Sequence, residues 1–479
     1  MRLDALIEEA GLSAQGLLRE VRGDVSVEVA GVTMDSRRVA VGSLFACVPG
    51  SAADGHLFAG SALDDGAVAL LCERPLDLSA PQIVVSSVRL ALGAVSDAVY
   101  GHPSHELDVV AVTGTNGKTT TCAFLKAIFD ANGWPAMTVG TLTQRRTTPE
   151  APELHSLLAD WQQAGGRAVA MEVSSHALDQ HRTDSVRFAA GVFTNLSPEH
   201  LDYHGTMDAY FEAKARLFEP GRVGVAVINR ADPWGRRLIE RVGAGQHRLE
   251  TFALEDAESL SLSPRGSTFR WAGHDVALRV GGEFNVANAL AAATTAVAMG
   301  VEPATVVEGL QALESIPGRF QPVDAGQAFN VIVDYAHTPD GLAKVLDGAR
   351  RVCSGHLIVV FGAGGDRDRE KRPLMGEAAA ARADLVVLTS DNPRSENPDS
   401  IIAEILSGAG GSGNVIVEPD RAKAIATALA NARDGDVVVI AGKGHEKGQE
   451  IAGRVLPFDD AEVARETLRR IIASRREES

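Results

Sequence analysis

An apolar run from Leu107 to Val112 opens straight into Thr113, Gly114, Thr115, Asn116, Gly117, Lys118, Thr119 and Thr120, and a helix-like pattern then continues through Phe129. Strand, glycine loop and helix in that order leave few folds open. The glycines let backbone N–H groups approach an anion, the helix N-terminus favours negative charge, and Lys118 can neutralise the outer phosphates of a nucleotide. Thr119 or Thr120 can offer a hydroxyl to magnesium. A full P-loop needs a glycine where this chain has Val112. The shortened form disfavours GTPase and kinase readings and leaves a plain glycine turn as the alternative.

The runs LDVVAV, RAVAMEV, FAAGVF and VGVAVI alternate with polar or glycine-bearing loops, and a second series, NVIVDYA, HLIVVFG, ADLVVLT, NVIVEP and DVVVIAG, begins after IPGRF. Such alternation predicts an α/β protein with mostly parallel sheets whose ligands lie beyond the carboxyl ends of the strands. From Val29 to about Val85 the β-like runs are shorter, and GHPSHE reads as a linker between that region and the strand at Leu107. A chain of 479 residues suggests three domains, at roughly 150 residues each.

A net charge of -17 excludes general affinity for nucleic acid or anionic lipid, so the phosphate ligands expected here are small. Cys47, Cys72, Cys122 and Cys353 are scattered without disulfide or zinc spacing, which fits a reducing compartment. The opening MRLDALIEEAGL carries acids within its apolar periodicity and reads as an amphipathic helix instead of a signal peptide. The weakly polar run Val286 to Val301 is too short to span a bilayer. A cytoplasmic chain with no stable membrane insertion is expected.

Three further residues carry chemistry. Glu172 ends the strand RAVAMEV one strand beyond the glycine loop, where a carboxylate can hold magnesium, although a solvated strand end is the blander reading. His200 and His204 have helical spacing but neither a third ligand nor a zinc motif, so a phosphate or magnesium contact from His200 competes with a hydrogen-bonded loop histidine. Lys214 interrupts the apolar stripe Tyr210, Phe211, Leu217, Phe218 of a helix expected from Met207 to Phe218 with Thr206 as its cap. Such a lysine must snorkel, find an anion, or lose its proton. A neutral amine there could take up carbon dioxide and become a carboxylate-type magnesium ligand.

The sequences GTNGKTT, EVSSHALDQHR, FTNLSPEHLDYHG with EAK, FNVANALAA, GRF, VDYAHTPD and GGDRDREKRPLM, in that order, make the chain similar to the Mur ligase family over essentially its whole length. The resemblance implies three domains: a smaller N-terminal α/β UDP-binding domain (1–104), a central P-loop-like ATPase domain (105–317) and a C-terminal Rossmann-like domain that brings in an amino acid (318–479). It implies ATP held by Gly114 to Thr120, with Asn285 and Asn288 at the adenine and Arg319 and Asp334 near phosphates and ribose. Mg2+ would be held by Thr119, Glu172, His200 and a carbamylated Lys214, with Lys118, Lys214, Glu172 and His200 as the catalytic set.

It further implies that UDP-N-acetylmuramoyl-L-alanyl-D-glutamate meets Met34, Ser36, Ser51, Ala52, Ala53, Thr147, Thr148, Ser174, Gln180 and Arg182. One local departure is the basic Gln144, Arg145, Arg146 before the two threonines, where an asparagine is expected. After ADLVVLT the chain reads Asp391, Asn392, Pro393, Arg394, which resembles the meso-2,6-diaminopimelate recognition motif. A guanidinium fork suits the distal carboxylate that lysine lacks. Arg367, Gly442 and Glu446 would complete that pocket. A monomer is expected. Two rivals stay open on the sequence: another ligase of the superfamily, and a non-catalytic nucleotide switch.

Overall fold

The computed structural model describes residues 1–50, 53–243, 248–410 and 414–477. Three α/β layers follow one another along the chain. The first sheet has the order Leu18–Arg22, Gln82–Val85, Ala67–Cys72, Ser43–Ala46, Gly31–Thr33, parallel except for its first pair. Helices Leu3–Glu9 and Val88–Val99 cover one face of it.

The second sheet is wholly parallel, in the order Arg248–Phe252, Val223–Asn229, Phe188–Phe193, Asp108–Thr113, Ala168–Glu172, Ala136–Val139. Its strands are apolar on both faces because both are covered. Val110, Val112, Ala170 and Val192 pack under helices Lys118–Ala131 and Glu283–Ala298, while Val109, Ala111, Met171 and Phe193 face Ala151–Gln163 and Met207–Ala215. The strand Asp108–Thr113 lies where the strand order reverses, so its carboxyl end opens into a crevice. An antiparallel sheet, Glu258–Ser263, Gly266–Trp271 and His274–Leu278, leans against this layer. Its first strand, ESLSLS, is too polar to stand out by composition.

The third sheet has the order Gln321–Pro322, Asn330–Asp334, Val437–Ala441, Leu357–Phe361, Leu385–Leu388, Val415–Val417, parallel apart from its first pair. Here too each strand alternates between two cores. Contacts from loop to loop join this layer to the second. Asp340 accepts from Asn116 Nδ2 at 3.1 Å and Ser197 Oγ at 2.6 Å, and Arg319 donates to Thr119 Oγ1 at 3.1 Å.

Two local expectations change. The helix bearing Lys214 ends at Ala215 and tightens into a 3-10 turn, Arg216–Phe218, because Pro220 forces Glu219 into extended backbone. GHPSHE is a packed joint: His102 pairs with Asp97 and Glu9, Pro103 and Ser104 are buried, and Ser104 Oγ accepts from the Arg187 amide. No helix among the described residues is long and apolar enough to cross a membrane.

Candidate active site

Strand Asp108–Thr113 delivers the glycine loop to the crevice, and Lys118 is the first residue of the following helix. Its Nζ folds back over the loop to the carbonyls of Gly114 (2.9 Å) and Thr115 (2.8 Å). The loop is pinned from the neighbouring strand: Thr194 Oγ1 donates to Asn116 O at 2.6 Å, and the Asn116 amide donates to Asn195 Oδ1 at 3.0 Å. Gly117 has φ 89°, and a Cβ there would overlap the Asn288 amide. Asn288 in turn donates to Asn285 at 3.2 Å, so the two buried asparagines lie against the glycine loop. Thr115, Thr119 and Thr120 are buried in the same place.

Glu172 is buried at its strand end and accepts from Thr119 Oγ1 (3.0 Å) and the Thr141 amide (2.8 Å). A solvated strand end is thereby excluded. Lys214 is also buried, with Nζ donating to Gly114 O at 2.9 Å and lying 4.8 Å from the Tyr210 ring. Burial, reinforced by the Lys118 charge, pushes its pKa well below that of an ordinary lysine, with Glu199 opposing. The amine therefore does not snorkel; it is buried beside the glycine loop and gives up its proton more readily than an ordinary lysine.

His200 has φ 56° and packs edge-on against His176 at 4.7 Å. Desolvation in the cleft lowers its pKa, with His176, Lys118 and Lys214 adding to the effect and Glu199 resisting it. Among the described residues no three His, Cys, Asp or Glu side chains converge as a metal cluster. Sequence reasoning passed over Glu199, 3.7 Å from His200 and 4.0 Å from His337. Burial would raise its pKa, but His200, His337, Lys118 and Lys214 together hold it below the usual carboxylate range. The adjacent His200 was its only sequence signal.

Arg319 stacks on Tyr335 at 4.5 Å while reaching Thr119. Buried Asp334 accepts from the amides of Phe320 (2.7 Å) and Ala336 (2.8 Å), so it ties GRF to the HTPD turn. Burial pushes its pKa up against the pull of Arg319.

Behind Glu172, Thr148 Oγ1 donates to the Glu172 carbonyl at 2.9 Å and accepts from the Ser174 amide at 3.1 Å. Thr147 meets Thr141 at 3.2 Å. Arg182 donates to Thr148 O (2.9 Å) and Gln180 Oε1 (2.6 Å), and its Nε lies 3.2 Å from Glu150. Glu150 also pairs with Arg89 and Arg146, each at 2.6 Å, which gives the unexpected Arg146 a structural partner. The structure thus gathers Thr147, Thr148, Ser174, Gln180 and Arg182 into one patch. Of the N-terminal set, Met34 packs on the first core and Ser36 starts a 3-10 turn whose Arg38 pairs with Glu153 on the helix after Thr148. Ala53 is exposed, and Ser51 and Ala52 lie outside the described residues.

The third sheet builds a second pocket at its carboxyl ends. Asp391 and Asn392 are buried, and Arg394, at φ 51°, donates to Gly365 O at 2.6 Å and lies 3.2 Å from Glu450. Glu450 sits on a hairpin, Gly448–Ile451 with Arg454–Pro457, that pairs with the Arg394 backbone. The turn NPRSENP is therefore anchored. Fully buried Arg372 anchors it further, through Glu396 at 2.8 Å, Glu404 at 2.7 Å and Gly364 O at 3.2 Å. Arg367 is exposed beside Gly364, close to Arg394. Gly442 has φ 110°, and a Cβ there would overlap the Asp391 carboxylate. Glu446 accepts from Asn392 Nδ2 at 2.7 Å and from buried Lys443 at 3.0 Å. Lys443, Arg372 and the hairpin carried no sequence signal that distinguished them from ordinary surface charge.

A glycine loop at the carboxyl end of one sheet and a charged turn at the carboxyl end of the next, with Arg319 and Asp340 joining the two layers, set two candidate sites in one molecule, and comparison with known proteins identifies its kind. Family models match residues 28–100 (Mur ligase family, catalytic domain), 112–296 (Mur ligase middle domain) and 318–444 (Mur ligase, glutamate ligase domain). The chain belongs to the Mur ligase family. A UDP-N-acetylmuramoyl-L-alanyl-D-glutamate–2,6-diaminopimelate ligase from Syntrophomonas wolfei is 43% identical, over 98% of this chain and 99% of its own. The ligase of the same name from Aquifex aeolicus is 43% identical over 92% and 94%. A solved structure of a ligase so named matches with TM-score 0.69 and 34% identity over 98% and 99% of the two chains. The MurF ligase of Thermotoga maritima in complex with ADP shares the fold, with TM-score 0.65 at 20% identity over 93% and 99%.

Proposed function

We propose that this protein is the ATP-dependent ligase that joins meso-2,6-diaminopimelate to UDP-N-acetylmuramoyl-L-alanyl-D-glutamate in peptidoglycan synthesis. The observation that carries the reading is the network at the third sheet's carboxyl ends that ties a guanidinium to a carboxylate, from Arg394 to Glu450, from Glu450 to Asn392 and from Asn392 to Glu446. A distal carbon bearing both a carboxylate and an ammonium fits that pair; lysine satisfies only half of it. The names of the relatives from Syntrophomonas wolfei and Aquifex aeolicus agree.

In this reading the D-glutamate γ-carboxylate attacks the γ-phosphorus of ATP and ADP leaves. The diaminopimelate amine then attacks the acyl carbon and phosphate departs with the bonding pair. Lys118 and the loop amides neutralise charge as it develops on the transferring phosphoryl group. Arg182, Gln180 and Thr148 orient the dipeptide, and Arg319 aligns the phosphates from the opposite sheet. Thr119, Glu172, His200 and a carbamate on Lys214 would hold Mg2+, which when bound supplies further charge neutralisation. The neutral Lys214 amine is the form that adds carbon dioxide, releasing a proton. Asn285 and Asn288 are assigned to adenine and Asp334 to shaping the ribose side.

We place the domain limits at 1–104, 105–317 and 318–479, and the remaining sugar-nucleotide contacts on Met34, Ser36 and the 51–53 segment. The reaction is assigned to the cytoplasm because its substrates are nucleotides, and the protein is taken to act as a monomer. Phosphate release measured with the UDP-muramoyl dipeptide and a panel of amino acids tests the proposal. Release that requires meso-diaminopimelate is expected; release with L-lysine alone, or none with any amino acid, would sink it.

A further inference from the structure

We infer that Lys443 is a positioning residue that makes the pocket read the distal amine of the incoming amino acid, by fixing the Glu446 carboxylate. The inference rests on the proposed ligase reading and adds a residue to it. Lys443 follows Gly442 at the end of strand Val437–Ala441 and is completely buried. Its Nζ lies 2.9 Å from Asn392 Oδ1, 3.0 Å from Glu446 Oε2 and 3.9 Å from Asp391 Oδ1. A buried ammonium is costly unless acceptors and countercharge surround it, and here two acceptors lie at hydrogen-bond distance with the Asp391 carboxylate further off as an ion-pair partner.

The network consumes one side of each partner. Asn392 Oδ1 also accepts from the Glu450 amide at 2.9 Å, and Asn392 Nδ2 donates to Glu446 Oε2 at 2.7 Å. Glu446 Oε2 thus receives two donors, whereas no hydrogen bond from the described residues reaches Oε1. The side chain keeps 34% of its surface open, so Oε1 is left uncommitted within the fold. Asp391 and Glu446 bring two carboxylates to Lys443, and the nearby Arg421 is committed to Asp460 at 2.7 Å. On the other arm, Arg394 spends Nη1 on Gly365 O and Nε on Glu450, leaving Nη2 for a carboxylate.

Lys443 touches Glu446 directly and reaches Arg394 only through Asn392 and Glu450, so its loss should fall mainly on the amine-reading arm. The test compares Lys443→Met with wild type on three amino acids: meso-diaminopimelate, 2-aminopimelate, which lacks the distal amine, and L-lysine, which lacks the distal carboxylate. Each is measured as kcat/KM or, where turnover is too slow, as a competitive Ki. The preference for diaminopimelate over 2-aminopimelate should fall about tenfold or more. The preference over L-lysine should hold, because both ligands carry the distal amine. KM for ATP should not move, and adding Lys443→Met to Glu446→Gln should cost nothing further in diaminopimelate efficiency.

Lys443→Gln, which keeps one donor, should lie between wild type and Lys443→Met. If both preferences fall together, or neither falls, the lysine is no positioning residue and the inference is overturned. Failure of both variants to fold, judged by circular dichroism and ATP KM, would make it a structural strut and overturn the inference equally. A wild-type enzyme that ignores diaminopimelate would instead overturn the ligase reading beneath it.

Discussion

The two pockets of this protein each bury a lysine, and their surroundings give the two amines opposite tasks. Lys214 meets one carbonyl, the face of a tyrosine and the repulsion of Lys118, with Glu199 opposing, and its pKa falls well below that of an ordinary lysine. Lys443 lies between an amide oxygen and two carboxylates. An amine whose proton is loosely held is available as a nucleophile toward carbon dioxide; an amine locked to carboxylates orients them. Burial alone assigns neither role. What decides is the charge that the surrounding loops bring in.

The largest effect that could break this contrast is at the nucleotide pocket. Lys214→Ala should cut phosphate release by on the order of 10²–10³-fold, comparable to losing a main electrostatic stabiliser of the transition state. Formate or acetate should partly restore it. Steady-state phosphate release with and without such acids checks both points, and a variant of near wild-type activity would end the role assigned to Lys214. Lys118→Ala should be as damaging but beyond rescue by carboxylic acids, because it removes a cation; well-folded protein with normal turnover would refute its assignment.

At the amino-acid pocket the expected effect is smaller and confined to one substrate. Arg394→Ala removes a partly buried charged donor, which costs on the order of 2–5 kcal/mol, so diaminopimelate efficiency should fall tens-fold or more while KM for ATP stays put. An unchanged ratio of diaminopimelate to lysine efficiency would show that the carboxylate is read elsewhere.

The smallest effect separates scaffold from chemistry. Thr206 caps the Lys214 helix through the Ala209 amide at 3.1 Å, and Thr206→Ala should cost about 1 kcal/mol of stability. Chemical denaturation should register the loss with kcat nearly intact. A collapse of kcat would mean that the helix start, and not only Lys214, is tuned for catalysis.

Much of the molecule was readable without its structure, and the residues that were not share a cause. The apolar alternation marked the parallel strands because strands covered on both faces must be apolar throughout, whereas the half-exposed ESLSLS and the hairpin after Lys447 gave no such signal. The Lys118 loop and the Asp391 to Arg394 turn were visible because each works through consecutive residues. Glu199 was overlooked because its partners, Lys118, Lys214 and His337, are scattered over three separate elements of the chain. Arg146 looked anomalous for the same reason, since its acceptor Glu150 is shared with Arg89 and Arg182 from other elements.

The sequence by itself therefore determined the order of the layers, the phosphate loop and the place of the amino-acid turn, since backbone geometry and hydrophobic period are local properties. The tertiary structure alone decided which buried lysine has its pKa driven down and which is paired, and which oxygen of Glu446 receives no hydrogen bond from the described residues. Desolvation and Coulomb interaction depend on distance in space, and the groups that set them here lie tens of residues apart in the chain.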